Sequence, residues 1–179
     1  MFPKWNEYNI TIIPIGGSNI GHQDPDVLAK INPNIAVILD SDLKSESSKL
    51  SPKKIELKQK FERHNIQVRF WEKNGKKVRT IENLFTKDAI NEALNITLEE
   101  EVGPYDDVPL LVGRELVKRN PDFDEAQLRD DEFCRKKYNK IKHGKKIAKK
   151  MVELGHVPSD VEELLRNILS KFGLNPSSS

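Results

Sequence analysis

Ile35-Ala36-Val37-Ile38-Leu39-Asp40-Ser41-Asp42 is the stretch on which the fold turns. Five apolar residues in a row predict a strand buried on both faces, as in the centre of a parallel sheet. Side chains alternate along an extended chain, so Asp40 and Asp42 are expected on the same side. Carboxylates that close repel each other unless a cation sits between them, and paired oxygen ligands suit Mg²⁺ or Mn²⁺. The C-terminal end of a strand is also where open α/β sheets place their ligands. Asp-Ser-Asp reads alternatively as a turn or cap closing a buried strand.

Upstream, residues 9–15 (Asn-Ile-Thr-Ile-Ile-Pro-Ile) predict a first strand running into Gly16-Gly17-Ser18-Asn19. Paired glycines there permit a tight turn with backbone close to a ligand. Asp24-Pro25 supplies an N-cap and a first-turn proline for a short helix through Ile31. Downstream, residues 43–50 form a polar, serine-rich loop, and Ser51-Pro52 repeats the cap-and-proline signal. That helix is expected to run to about His64, with Ile55, Leu57 and Phe61 inward and Glu56 paired to Lys60 outside. Residues 66–70 alternate as a strand, Asn74-Gly75 marks a turn, residues 78–85 read as the next strand, and a helix follows from Thr86 to about Leu94.

Strand, helix, strand, helix, strand is the order of a doubly wound parallel sheet. Consecutive parallel strands present their C-terminal ends on one edge, which would bring Glu82 toward Asp40 and Asp42. Glu82 equally reads as a first-turn carboxylate stabilised by a helix dipole. From about Thr97 the pattern changes. Residues 97–107 make an acidic linker, helices are expected over 108–119, 124–138, 141–154 and 160–172, and residues 175–179 form a tail. The expected organisation is therefore an α/β unit over 1–96 and a helical region over 108–174. The stripe Leu164, Leu165, Ile168, Leu169 and Phe172 is expected to pack on the domain.

The chain of 179 residues is 36% hydrophobic and 32% charged, with a net charge of +2, which suits one modest core under a charged surface. The lone Cys134 excludes an internal disulfide framework and a cysteine-based zinc cluster. No apolar run approaches the roughly 18–20 residues that span a bilayer, and the N-terminus lacks the apolar run of a signal peptide. A cytoplasmic protein without a membrane partner is expected. Charge is distributed unevenly. Arg135, Lys136, Lys137, Lys140, Lys142, Lys145, Lys146, Lys149 and Lys150 occur with no acidic residue among them. Such a density neutralises phosphates, and the absence of a compensating glutamate at i,i+4 argues against a merely solvated helix face. Arg135, Lys136, Lys137, Lys140, Lys146 and Lys149 are the candidate DNA contacts. A carboxylate metal cluster beside a basic surface suits phosphodiester chemistry, in which a metal activates water and a lysine balances developing charge.

The order strand–Gly-Gly-Ser-Asn, then Val-Ile-Leu-Asp-Ser-Asp, then Arg-Thr-Ile-Glu-Asn-Leu-Phe resembles the Toprim domain of OLD-family (overcoming lysogenization defect) nucleases. The resemblance covers residues 9–90, with a looser match around Lys142–Ala148. It implies a Toprim-like (Rossmann-like) parallel sheet with flanking helices, followed by a helical C-terminal extension. It also implies a DNA endonuclease using two Mg²⁺ or Mn²⁺ ions, with Asp40, Asp42 and Glu82 as ligands. Lys145, or Lys142 one turn earlier, would be the active-site lysine, and Gly16 and Gly17 the turn that shapes the site. The implied partners are DNA, an ABC-type ATPase domain or neighbouring chain, and a second copy in a homodimer. The family's opening strand, ending in Glu-Gly, has no counterpart in this sequence, nor does an ATPase Gly-x-x-x-x-Gly-Lys-Ser/Thr signature. The chain is accordingly expected to be the C-terminal piece of a larger nuclease. Two rival readings are a catalytically incomplete module that binds DNA or a partner along an open sheet edge, and a fragment of another Toprim enzyme such as a primase or topoisomerase.

Overall fold

The computed structural model describes residues 11–15 and 17–174. Among them the fold is mixed α/β, with eight α-helices and a small parallel two-stranded sheet. Strand β1 (Ala36–Leu39) pairs in parallel with β2 (Gln67–Phe70), Val37 opposite Val68 and Leu39 opposite Phe70. Before β1 comes α1 (Pro25–Ile31), started by the Asp24 carboxylate, which accepts from the Asp26 N–H. The crossover between the strands is α2 (Pro52–Glu62), capped by the Ser51 hydroxyl. Val37, Leu39, Val68 and Phe70 share one sheet face and pack with Ile20, Phe61 and Ile66 into a first core.

Several sequence expectations are corrected here. β1 is not buried on both faces: Val37 and Leu39 are buried, whereas Ala36 and Ile38 on the opposite face are only partly covered. That face continues into Gln67 and Arg69, whose polar side chains keep it open to water. Residues 11–15 are not in a strand, and Ile12 and Ile13 are 74% and 71% exposed. Pro14 has no N–H to offer a ladder there. The remainder of that expected strand, Asn9 and Ile10, lies outside the described residues, as does Gly16. Gly17 opens a short 3₁₀ helix, Gly17–His22.

The strand expected over residues 78–85 is also absent. An antiparallel hairpin, β3 (Glu72–Lys73) and β4 (Lys76–Lys77), precedes it, turning on Asn74 and Gly75 with φ of 53° and 71°. The chain then curls into a 3₁₀ helix, Ile81–Leu84, because Asn83 Oδ1 accepts from both the N–H and the hydroxyl of Thr80. The apolar residues Val78, Ile81 and Leu84 recur every three positions, a helical spacing rather than a strand alternation. The parallel sheet among the described residues therefore has two strands instead of the four expected.

On α2, Leu57 and Phe61 face inward as expected, but Ile55 is 44% exposed. Lys60 donates to the carbonyls of Gly21 and Gln23, tying the 3₁₀ helix to α2, instead of pairing with Glu56.

A second core gathers Phe85, Ala89, Ile90, Leu94, Val102, Val108, Val112, Tyr138, Ile147 and Met151. Its helices are α3 (Lys87–Leu94), α4 (Val108–Lys118) and α7 (Lys140–Leu154), capped by Thr86, Asp107 and Asn139. The single helix expected over 124–138 is two, α5 (Glu125–Arg129) and α6 (Asp131–Lys137). Asp130 breaks it by accepting from the N–H groups of Glu132 and Phe133, which starts a new helix. Gly113 of α4 lies so close to α6 that a Cβ there would meet the Cys134 carbonyl oxygen at 2.0 Å. The last helix, α8 (Ser159–Lys171), buries Ile168 and Leu169, and Asp160 accepts from the N–H of Asn74 at the hairpin turn. No helix among the described residues is long and apolar enough to cross a membrane.

Candidate functional site

Beyond Leu39 the chain leaves strand geometry, and this decides where the aspartates point. Asp42 has φ of 58°, a left-handed conformation that ends the alternation. Its N–H donates to the Arg79 carbonyl, while the buried Ser41 hydroxyl donates to the Val78 carbonyl. The segments 40–42 and 78–81 are thereby laced together. A further bond completes the join: the Ile81 N–H donates to Asp40 Oδ1 at 2.9 Å. The expectation that Asp40 and Asp42 lie side by side is corrected. Asp42 turns outward to an ion pair with Lys54 Nζ at 2.8 Å, whereas Asp40 faces Glu82.

Glu82 does approach Asp40, though from a 3₁₀ turn rather than a strand end. Asn83 fixes that turn from beneath. Fully buried, it donates through its side-chain amide to the carbonyls of Gly103 and Asp106. The Lys140 ammonium stands between the two carboxylates, 3.0 Å from Glu82 Oε1 and 3.8 Å from Asp40 Oδ2. Glu82 is 2% exposed, and its Oε2 is buried with no hydrogen-bond partner among the described residues.

Burial lifts the Asp40 carboxyl above the usual aspartate range; Lys140 and the Ile81 N–H pull it down, and the charges of Glu82 and Asp42 push it up again. The folded protein therefore holds a proton on Asp40 at pH values where the unfolded chain has released it. Stability is expected to fall as pH rises through the interval above the ordinary aspartate pKa. Asp40→Asn should flatten that slope and raise the melting temperature near neutral pH. Melts recorded from about pH 4 to about pH 7 check this, and an unchanged slope in the variant would remove Asp40 as its source.

The donor set fits a hard divalent cation. Such ions bind through one or two carboxylates and take water or substrate phosphate for the remaining positions. Asp40 and Glu82 already converge on a cation, the Lys140 ammonium, and Glu82 Oε2 is a buried acceptor with capacity to spare. No three His, Cys, Asp or Glu side chains among the described residues are gathered as a metal cluster, since Asp42 lies on Lys54.

The basic helices differ from their sequence reading, because much of the charge is compensated. Lys136 pairs with Glu132, Arg135 with Asp107 and Asp131, and Lys149 and Lys150 with Glu153. Asp131, Glu132 and Glu153 lie just outside the acid-free window, one helical turn before or after it, and Asp107 comes from the start of α4. Lys137 lies over the Phe133 ring. Lys142, Lys145 and Lys146 are exposed on α7 and make no ion pair with a described residue. Lys140, read from sequence as a DNA contact, is the lysine that reaches the carboxylates. Sequence reasoning missed Lys54, which also donates to the Asp40 carbonyl, and Tyr138, whose buried hydroxyl lies in the second core. The Ser-Pro start of α2 was the available signal for Lys54, since it places that residue in the first turn.

Two concavities of about 480 and 230 Å³ run along β2, one beside Lys58 and Glu62 of α2, the other beside Asp160 and Leu164 of α8. Neither includes Asp40 or Glu82; Glu82 is buried, Asp40 is partly exposed, and the Lys140 side chain between them is largely exposed. The chain matches no protein-family model, no curated protein and no solved structure.

Proposed function

We propose that this chain is a Toprim-like nuclease domain of the OLD-family type, in which Asp40 and Glu82 hold a Mg²⁺ or Mn²⁺ ion beside a DNA phosphodiester. The observation that carries the reading is the meeting of Asp40 and the buried Glu82 at one cation, from segments about forty residues apart. Burying a carboxylate is costly unless it is paired, and an enzyme site is where that cost finds a use. When bound, the metal supplies a polarised phosphoryl oxygen and an activated water. The protein's part is to orient both carboxylates through the Ile81 N–H and the Asn83-anchored turn, and to place Lys140 against the charge that develops on phosphate. Asp42, now paired with Lys54, would be the residue on hand to hold a second ion.

Lys142, Lys145 and Lys146, exposed and without an ion pair among the described residues, lie on the helix that carries Lys140 and add positive charge available to backbone phosphates. An ABC-type ATPase domain or neighbouring chain and a homodimer belong to the same proposal. A second reading, the incomplete module, draws on the half-covered sheet face and on the exposed Ile12, Ile13 and Ile15, which a further chain would bury.

The deciding experiment is Mn²⁺-dependent nicking of supercoiled plasmid, with Asp40→Ala as control. Nicking that disappears in the variant supports the nuclease. Plasmid bound but left intact by the wild type would favour the incomplete module.

A further inference from the structure

Two side-chain polar atoms among the described residues are buried without a hydrogen-bond partner, Glu82 Oε2 and the Tyr138 hydroxyl. Unsatisfied buried groups are rare in native proteins, and each calls for an explanation. These two belong to one place. Tyr138 ends α6, two residues before Lys140, so the corner that delivers the Lys140 ammonium to Glu82 Oε1 also delivers the Tyr138 ring. A Cβ at Gly144 would lie 3.6 Å from the Tyr138 hydroxyl and 3.9 Å from the Phe85 ring, and the Phe85 N–H donates to the Glu82 carbonyl. One atom is an acceptor with no donor, the other a donor with no acceptor. Burial, with the Glu82 charge adding to it, holds the Tyr138 hydroxyl far above the usual tyrosine range, so the proton stays available for donation.

We infer that Tyr138 is a positioning residue for Glu82, its hydroxyl donating to Oε2 through one bridging water, so that Oε1 is presented to the cation. This rests on the metal-site reading above and extends it to a residue outside the expected ligand set. Groups that hydrogen-bond a ligating carboxylate fix its orientation, and removing them typically weakens metal affinity about 10- to 100-fold.

The test uses Tyr138→Phe in the full chain, which keeps the ring packing and deletes one hydroxyl. Mn²⁺ affinity by titration calorimetry is expected to fall about 10-fold or more. Nicking should lose kcat, with KM for plasmid unchanged. An affinity and kcat within about two-fold of wild type overturn the inference. A metal-free arm separates this outcome from failure of the metal reading. If the hydroxyl serves Glu82, Tyr138→Phe lowers the melting temperature in the wild-type background and has little effect in a Glu82→Met background. If the hydroxyl is an idle buried polar group, its deletion raises the melting temperature in both. Wild-type protein that takes up no Mn²⁺ defeats the metal reading, and the non-additivity alone then decides whether Tyr138 positions Glu82. Equal shifts in the two backgrounds overturn the inference.

Discussion

Gly113→Ala is expected to cost the protein about 3 kcal/mol or more, because the added methyl has nowhere to go. The nearest atoms to its Cβ are the carbonyl oxygen and carbon of Cys134, at 2.0 and 2.6 Å, and both are backbone. A flexible side chain could swing aside, but here α4 and α6 must move apart. Their contact is the most extensive between any two helices of the described fold, and it carries the corner that leads to Tyr138 and Lys140. For a domain of this size each kcal/mol lowers the melting temperature by about 2–4 °C, so a drop of about 6–12 °C is expected. Gly144→Ala is the control: its nearest neighbour lies 3.6 Å away, an ordinary contact, and alanine favours the helix by up to about 1 kcal/mol. A Gly113→Ala melt indistinguishable from wild type would mean that the two helices are not packed as described.

On the proposed nuclease reading, Lys140→Ala is expected to slow cleavage severely while sparing or strengthening Mn²⁺ binding. In the cation-free protein the ammonium neutralises Glu82 and Asp40, so its loss leaves a buried carboxylate without a counter-charge. Breaking a fully buried pair costs about 3–5 kcal/mol. The lysine side chain is 59% exposed, so a loss of about 1–3 kcal/mol is the discounted expectation. On the proposed metal site, Mn²⁺ should restore that stability, because metal and ammonium would serve the same carboxylates. The loss of the lysine's charge at the phosphate should lower kcat by about 10²–10³-fold. Lys145→Ala provides the contrast. Exposed and without an ion pair among the described residues, it should leave the melting temperature unchanged. If Lys145→Ala abolishes cleavage and Lys140→Ala does not, the lysine implied by the family resemblance is the acting one, and Lys140 is only a structural counter-ion.

What could be read in the sequence was whatever depends on near neighbours. The cap-and-proline pairs at Asp24-Pro25 and Ser51-Pro52 start helices where expected, and Asn74-Gly75 makes its turn. These signals rest on hydrogen bonds and φ preferences spanning a few residues, so no tertiary context is needed to decode them. The convergence of Asp40 and Glu82 was anticipated, but on a parallel-strand argument that the fold does not use. The 3₁₀ turn arises because the Asn83 side chain reaches Thr80 above it and the 103–106 loop below it, and only the second of those bonds lies beyond local reach.

Other misreadings share one cause. Asp42 was assigned the side of Asp40 by alternation, yet a single left-handed residue sends it to Lys54. The lysines were counted as uncompensated within their own window, but the carboxylates that neutralise them lie on flanking turns or on other elements. By itself the sequence determined the α/β class, the positions of most helices and the carboxylates worth watching, because periodicity and capping are local. Tertiary structure alone decided which lysine meets Glu82, which aspartate turns away and which tyrosine hydroxyl is buried without a hydrogen-bond partner among the described residues. Burial and charge pairing are properties of the packed chain, and they depend on residues that the sequence holds far apart.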